Sequence, residues 1–279
     1  SNVFRLQMRN GGFNWMSSCR TTPSFHTIRS VVLDDRLFYL LWNDPYQTFG
    51  VTSSVSLSPN SRLNSPPLIV KKFDLCGIGN WIYMYNKEPN RNLIPNAYYK
   101  IDENELSRGV FAYNCETNKW MALPPMKTMV SDASMTCDVE KGLVYLIGGY
   151  ENEYVTRGLV QMYDHRTKGW TIITPSQGMY AEVACCFHAG ELYVCERPGD
   201  SSTVEVYDPV AGYWWYIARR NSYNCCQRLI SYADQLWAID QNSSIEVYSQ
   251  DDERWLKVAS LEESKEAGKI SPGSAVVED

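Results

Sequence analysis

The sequence predicts an all-β protein, built from four-stranded units repeated along the chain and stacked radially as a β-propeller. Three observations carry that prediction. A tyrosine, a polar residue and then a tryptophan seven positions after the tyrosine recur as Tyr113-Asn114 with Trp120, Tyr163-Asp164 with Trp170, Tyr207-Asp208 with Trp214, and Tyr248-Ser249 with Trp255. The tryptophans follow one another at 50, 44 and 41 residues, a period that belongs to repeat architectures. Helix signals are nearly missing, because no stretch sustains apolar residues at a 3.6-residue period.

Each unit reads in order. Its second strand is an apolar run carrying one aromatic: Leu143 to Gly149, Leu192-Tyr193-Val194, and Leu236 to Ile239, with earlier forms at Leu37 to Leu41 and Trp81 to Met84. Turn cues at Asp34-Asp35, Glu140-Lys141-Gly142, Ala189-Gly190 and Ala233-Asp234 join this run to an apolar stretch before it, as a hairpin loop does. The Tyr-polar pair ends the third strand and the tryptophan lies on the fourth. A single unit cannot bury both faces of its sheet, so neighbours must stack, and radial stacking leaves few open edges.

The ends complete the count. Val3 to Met8, followed by Trp15, read as a third and fourth strand with Met8 in the tyrosine position. Ser274 to Val277 reads as the first strand of that same blade, so the two termini close it. Five full units and this shared one give six blades, with five as the alternative. The unit holding Tyr39 lacks its tryptophan, and Val51 to Leu57 is assigned as its third strand. The whole chain, 1–279, is then one domain.

The pattern resembles the kelch repeat, in which a second strand ends in a glycine pair, here Gly148-Gly149, followed by Tyr-Asp on the third strand and Trp on the fourth. The resemblance implies that the glycine pair allows close backbone approach and that the Tyr and Trp pack between blades. It extends across residues 109 to 258 and more weakly before them.

Composition narrows the function. With 32 acidic against 26 basic residues the formal charge is −6, which offers no net pull toward polyphosphate or an anionic membrane. No apolar run reaches the roughly 18 residues of a membrane span, and the start at Ser1 to Arg5 lacks a signal-peptide layout. We therefore expect a soluble cytoplasmic chain with neither nucleic acid nor membrane as partner. Nine cysteines, an odd number, point to a reducing compartment and to thiols buried as small hydrophobes. The pairs Cys185-Cys186 and Cys225-Cys226 point to opposite faces of a strand, so neither clamps one metal locally. His26, His165 and His188 are scattered and read as turn or surface residues, and no nucleophile elbow, zinc-protease helix or phosphate loop occurs. The copper radical oxidases of this fold need clustered His and Tyr ligands, which three separate histidines do not supply. We expect no enzyme activity, no cofactor and no metal.

Binding is then expected on loops, which a rigid sheet scaffold holds in place. The second-to-third-strand loops and the fourth-to-first loops share one face. The segments concerned are 17–27, 42–51, 58–68, 86–108, 123–132, 149–158, 173–181, 196–203, 217–225 and 240–244. Segment 86–108 exceeds the roughly 12–15 residues beyond which structureless loops become uncommon. Arg and Tyr are frequent interface anchors, but neither is enriched in these segments. Topology alone nominates Arg20, Tyr46, Phe49, Arg91, Tyr98, Tyr99, Tyr150, Tyr154, Tyr180, Arg197, Arg219, Arg220 and Tyr223.

The chain as a whole resembles the propeller of the BTB-kelch family. That resemblance implies a substrate adaptor for a cullin-3 ubiquitin ligase in the ubiquitin-like conjugation pathway. A BTB domain upstream would bind cullin-3 and dimerise the full-length protein, while the propeller, monomeric by itself, captures the target protein. A cytoskeletal, actin-associated scaffolding module is the alternative.

Overall fold

The computed structural model describes residues 2–9, 12–20, 27–33, 36–43, 46–53, 56–64, 66–69, 72–88, 94–95, 109–151, 154–155, 158–178, 181–197, 202–242, 244–260 and 275–277. Side chains are described over 63–64, 66–67, 72–88, 109–151, 158–178, 181–196, 202–242 and 244–258. A hairpin of β1 (Asn2–Arg9) and β2 (Gly12–Arg20) opens the fold. The first four-stranded sheet holds β3 (Thr27–Leu33), β4 (Arg36–Asn43), β5 (Tyr46–Ser53) and β6 (Ser56–Arg62). After a short β7 (Leu68–Ile69) the Trp120 sheet begins, with β8 (Phe73–Ile78) and β9 (Trp81–Asn86). A short β10 (Ile94–Pro95) leads on to β11 (Val110–Asn114) and β12 (Lys119–Ala122).

The Trp170 sheet follows with β13 (Ser134–Asp138) and β14 (Leu143–Ile147), a ribbon of β15 (Tyr150–Glu151) and β16 (Tyr154–Val155), then β17 (Val160–Asp164) and β18 (Gly169–Ile172). The Trp214 sheet is β19 (Glu182–His188), β20 (Glu191–Arg197), β21 (Val204–Asp208) and β22 (Tyr213–Ile217). The Trp255 sheet is β23 (Cys226–Tyr232), β24 (Gln235–Asp240), β25 (Ser244–Ser249) and β26 (Arg254–Ser260). A last strand, β27 (Ala275–Val277), joins β1.

These four-stranded sheets are antiparallel meanders, and their first strands stack in sequence: β3 on β8, β8 on β13, β13 on β19 and β19 on β23. That is a propeller arrangement. The cores lie between successive sheets. Val144 and Leu146 pack with Tyr83 and Tyr85 on one side of β14, while its Leu143, Tyr145 and Ile147 pack with Val183, Leu192 and Trp214 on the other. A third cluster, including Cys195, Val204, Cys226 and Trp255, joins the last two sheets. An inner strand is therefore apolar on both faces, which explains why the second strands read as unbroken apolar runs.

The Tyr-polar-Trp spacing has a direct cause. Tyr113 pairs across the strands with Trp120, Tyr163 with Trp170, Tyr207 with Trp214 and Tyr248 with Trp255, with ring centroids 5.0–5.3 Å apart. The polar residue after each tyrosine folds the turn between them. The Asp208 carboxylate accepts from the Val210 and Ala211 amides at 2.6 and 3.1 Å, and the Asn114 carbonyl oxygen accepts from Glu116 and Thr117 at 3.0 and 2.8 Å. Side-chain-to-backbone bonds of this kind are why Asp and Asn favour turns.

Each tryptophan also reaches the neighbouring unit. Its indole N–H donates to a backbone carbonyl in the loop that leaves the preceding sheet: Trp120 to Asn64 at 2.7 Å, and Trp170 to Pro124, Trp214 to Thr174 and Trp255 to Ala218, each at 2.9 Å. The glycine pair works at the same junction. Gly149, at φ 96°, donates to Ala181 O at 2.8 Å. A Cβ on it would lie 2.6 Å from Ser131 O.

Two expectations need correction. In the sheet holding Tyr39 the third strand is Tyr46–Ser53, not Val51 to Leu57, because its pairing with the second strand already begins with Tyr46 opposite Asn43. The second concerns the termini. β27 does run parallel to β1, the direction of a first strand relative to a third, but no second strand separates them. It pairs directly with the free edge of β1, as Phe4 with Ala275 through Leu6 with Val277. The result is a three-stranded sheet, so the expectation of four antiparallel strands fails at this blade. Among the described residues there are five four-stranded sheets and this three-stranded one.

Candidate functional site

The loops that follow second strands and those that follow fourth strands do lie on one face, because they bond to each other. Tyr150 and Ser131 exchange backbone bonds of 2.8 and 2.9 Å, the Asp132 amide donates to Lys87 O at 2.8 Å, Arg220 N to Ser202 O at 2.9 Å, and Gln241 N to Cys225 O at 3.0 Å. Segment 86–108 is closed at its base by Asn86 N donating to Gly109 O at 2.7 Å, and its Ile94–Pro95 pairs with Leu68–Ile69 from the preceding loop. Beneath that base Lys87 and Asp74 form an ion pair of 3.1 Å, with side chains 4% and 10% exposed.

A repeated device holds the fourth-to-first loops. Two residues before the motif tyrosine the third strand carries a buried polar side chain: Gln161, Glu205 and Glu246, all at most 1% exposed. Each receives the loop arriving from the preceding sheet. Gln161 grips the Thr128 backbone with its Oε1 accepting at 2.9 Å and its Nε2 donating at 2.8 Å. The Glu205 carboxylate accepts from Gln177 N at 3.3 Å. Glu246 accepts from Asn221 N and Ser222 N at 2.8 and 3.2 Å. The sequence signal is a polar residue inside an apolar strand, in Val-Gln-Met-Tyr, Val-Glu-Val-Tyr and Ile-Glu-Val-Tyr. Sequence reasoning passed over it while following the tyrosine.

Loop 218–225 is the most completely fixed of these. Arg220 pairs with Glu246 at 3.3 Å, the two side chains being 0% and 2% exposed, and its other terminal nitrogen donates to Asn224 O at 2.7 Å. Asn221 Nδ2 donates to Trp255 O at 2.6 Å. A second carboxylate, Asp240, takes Ser222 Oγ at 2.7 Å and Asn224 Nδ2 at 3.2 Å on one oxygen, and the Asn242 and Ser244 amides at 2.8 and 2.9 Å on the other. Two buried carboxylates thus order one loop, and Tyr223 projects from it 72% exposed, with Arg219 also in solvent. An exposed aromatic on a fixed backbone binds with little ordering cost.

The nominated residues divide accordingly. Arg219 and Tyr223 share this loop and are exposed; Tyr150 is half-buried at the base of the ribbon. Arg220 is withdrawn from the contact set, since its guanidinium is consumed beneath the surface by Glu246 and Asn224. Tyr46 and Phe49 are strand rather than loop residues, and Arg20, Tyr154 and Arg197 fall on β2, β16 and β20. Arg91, Tyr98, Tyr99 and Tyr180 lie outside the described residues.

His188 corrects the surface reading of the histidines. It is 8% exposed, its Nδ1 lies 2.9 Å from Ser231 Oγ, and burial lowers its pKa below 6.5. His165 sits at a turn, bonded through Nδ1 to the Tyr83 hydroxyl and tilted against Trp81. On the outer edge Tyr216 has its hydroxyl pushed up to about 12, by burial first and by the Glu205 carboxylate next. Among the described residues no three His, Cys, Asp or Glu side chains group as metal ligands, and no helix is long and apolar enough to cross a membrane.

Comparison with known proteins agrees with the repeat. The kelch motif matches residues 99–127, which contain β11, β12 and the start of the following loop. The chain is 24% identical over 242 residues to an F-box/kelch-repeat protein of Arabidopsis thaliana, covering 77% of this chain and 57% of that protein. The chain thus spans a little over half the length of this curated relative. The motif, the relative and the stacked four-stranded sheets together support a kelch-repeat protein whose propeller presents one face of interbonded loops.

Proposed function

We propose that this propeller is a non-catalytic, cytoplasmic protein-binding domain, and that it captures a segment of a target protein on the loop face around Arg219 and Tyr223. The observation that supports it best is the fixed loop 218–225, where two buried carboxylates are spent on holding a surface loop that presents Tyr223. Burying carboxylates is costly unless every oxygen is well bonded. Further contacts from Arg20, Arg91, Tyr98, Tyr99, Tyr150, Tyr154, Tyr180 and Arg197 would extend the face around the ring.

Within this reading the domain is the substrate-recognition part of a ubiquitin-ligase adaptor. The BTB-kelch resemblance assigns an upstream BTB domain, cullin-3 and a dimer. The similarity to an F-box/kelch-repeat protein favours a second adaptor type, with an F-box in place of the BTB. Capture with the immobilised chain, run beside Arg219→Ala and Tyr223→Ala, tests the binding site. We expect specific proteins retained by the native chain and lost by the variants; equal retention by all three contradicts the site. Association of the full-length protein with cullin-3 separates the two adaptor types. Co-sedimentation with actin filaments would instead indicate the scaffolding reading.

A further inference from the structure

The first strands of four sheets, β8, β13, β19 and β23, line an open cavity of about 360 Å³. Its wall includes four thiols, Cys76, Cys137, Cys185 and Cys186, beside Asp74, Thr136 and Arg228. Two of the thiols meet across a junction between sheets. Cys137 on β13 packs against the core cluster that holds Cys76 of β8, and Cys137 Sγ lies 3.2 Å from the carbonyl oxygen of Gly77, the residue next to Cys76. Both are free thiols. Most buried cysteines are inert because no reagent reaches them. Here the cavity brings a small reagent to both sulfurs, with Cys76 7% exposed and Cys137 more so.

We propose that Cys76 and Cys137 form an oxidisable dithiol site, reached through this cavity, at which a hydroperoxide links the first strands of two neighbouring sheets by a disulfide. The roles of the two sulfurs differ. The neighbouring Cys76 thiol favours the thiolate of Cys137 and lowers its pKa, while burial raises that of Cys76. The Cys137 thiolate attacks the terminal peroxide oxygen; an S–O bond forms, the O–O bond breaks, and the departing oxygen leaves as an alcohol after taking a proton. Cys76 then loses its proton and attacks the sulfenic sulfur. The S–S bond forms, the S–O bond breaks, and the hydroxyl leaves as water with that proton. Two thiols lose two electrons in all, and one hydroperoxide is reduced to an alcohol, or to water when the oxidant is hydrogen peroxide.

The link would tie the sheet that carries segment 86–108 to the sheet that receives loop 123–133, so it bears on how firmly that sector of the loop face is held. The site itself does not depend on the binding reading. The test treats the intact chain with increasing hydrogen peroxide, blocks remaining thiols with N-ethylmaleimide, and maps peptides without reduction. The expected result is a Cys76–Cys137 linked peptide, lighter by two hydrogens and released by dithiothreitol. In Cys76→Ser, dimedone is expected to trap a sulfenic acid on Cys137; in Cys137→Ser, none is trapped on Cys76. Recovery of both residues as maleimide adducts while other cysteines oxidise, or linkage of Cys137 to Cys185 instead, overturns the proposal. Mapping the native chain requires no substitution, so a variant that fails to fold does not remove the test.

Discussion

Glu246 shows what one side chain contributes at a junction between two sheets. It accepts from two loop amides and neutralises Arg220 in a site closed to water. Removing one member of a buried pair leaves the other charged and unpaired, which costs about 3–5 kcal/mol. Glu246→Ala is therefore expected to destabilise the fold by that order, read from the urea midpoint. The double variant Glu246→Leu with Arg220→Met should recover part of the loss, and not all of it, because the Asn221 and Ser222 amides still lack their acceptor. Full recovery would mean that the carboxylate's bonds to the loop contribute nothing. His188 gives a pH-dependent counterpart. Its folded pKa lies below its ordinary value of 6.5, so the unfolded chain takes up the proton more readily. Stability from this group is complete above about pH 6.5 and declines as pH falls below it. His188→Asn is expected to reduce the difference between urea midpoints at about pH 7 and about pH 5; an unchanged difference would contradict the burial of a neutral imidazole.

At the scale of the element, the device that matters is the fourth-to-first loop with its two anchors in the next sheet, a tryptophan N–H and a polar side chain of the third strand. Gly149 packs against such a loop. Its φ of 96° and the 2.6 Å approach to Ser131 O leave no room for a methyl group. An unstrained glycine-to-alanine replacement stabilises by up to about 1 kcal/mol, whereas Gly149→Ala is expected to destabilise by more than about 1 kcal/mol, measured by thermal or urea unfolding, and a smaller cost would show that the loop gives way easily. The strands themselves were readable because their alternation and turn chemistry are local. Tyr207-Asp208 and Trp214 announce a hairpin whose turn bonds and cross-strand ring contact all lie within eight residues. Local pattern also failed in places. The third strand at Tyr46 carries Gln47, Thr48 and Gly50 among its apolar residues and so lacks a clean apolar signature. Glu246 and Gln161 look like solvated strand positions until the loop that bonds them is brought in from the preceding unit, 25 and 33 residues away in sequence.

For the whole molecule, the sequence period conveyed the stacking and the shared face of loops, because a sheet with two apolar sides demands two neighbours. The binding residues were less legible. Doubled basic residues at Arg219-Arg220 look alike in the sequence, yet one points to solvent and the other supports the loop from below, a distinction made only by Glu246 and Asn224 folding in behind it. The direction of β27 follows from blade geometry, while its direct pairing with β1 depends on a strand that the pattern does not supply. The central claim is that the loop face, through Tyr223 and Arg219, is where a target protein is held. The most direct test is titration calorimetry of a captured target against the native chain, Arg219→Ala with Tyr223→Ala, and Val210→Ala, whose site is 86% exposed on a third-to-fourth turn at the opposite end of the strands. The account predicts at least tenfold weaker binding for the double variant, about 1.4 kcal/mol, and native affinity for Val210→Ala. Native affinity for the double variant, or a loss confined to Val210→Ala, would contradict it.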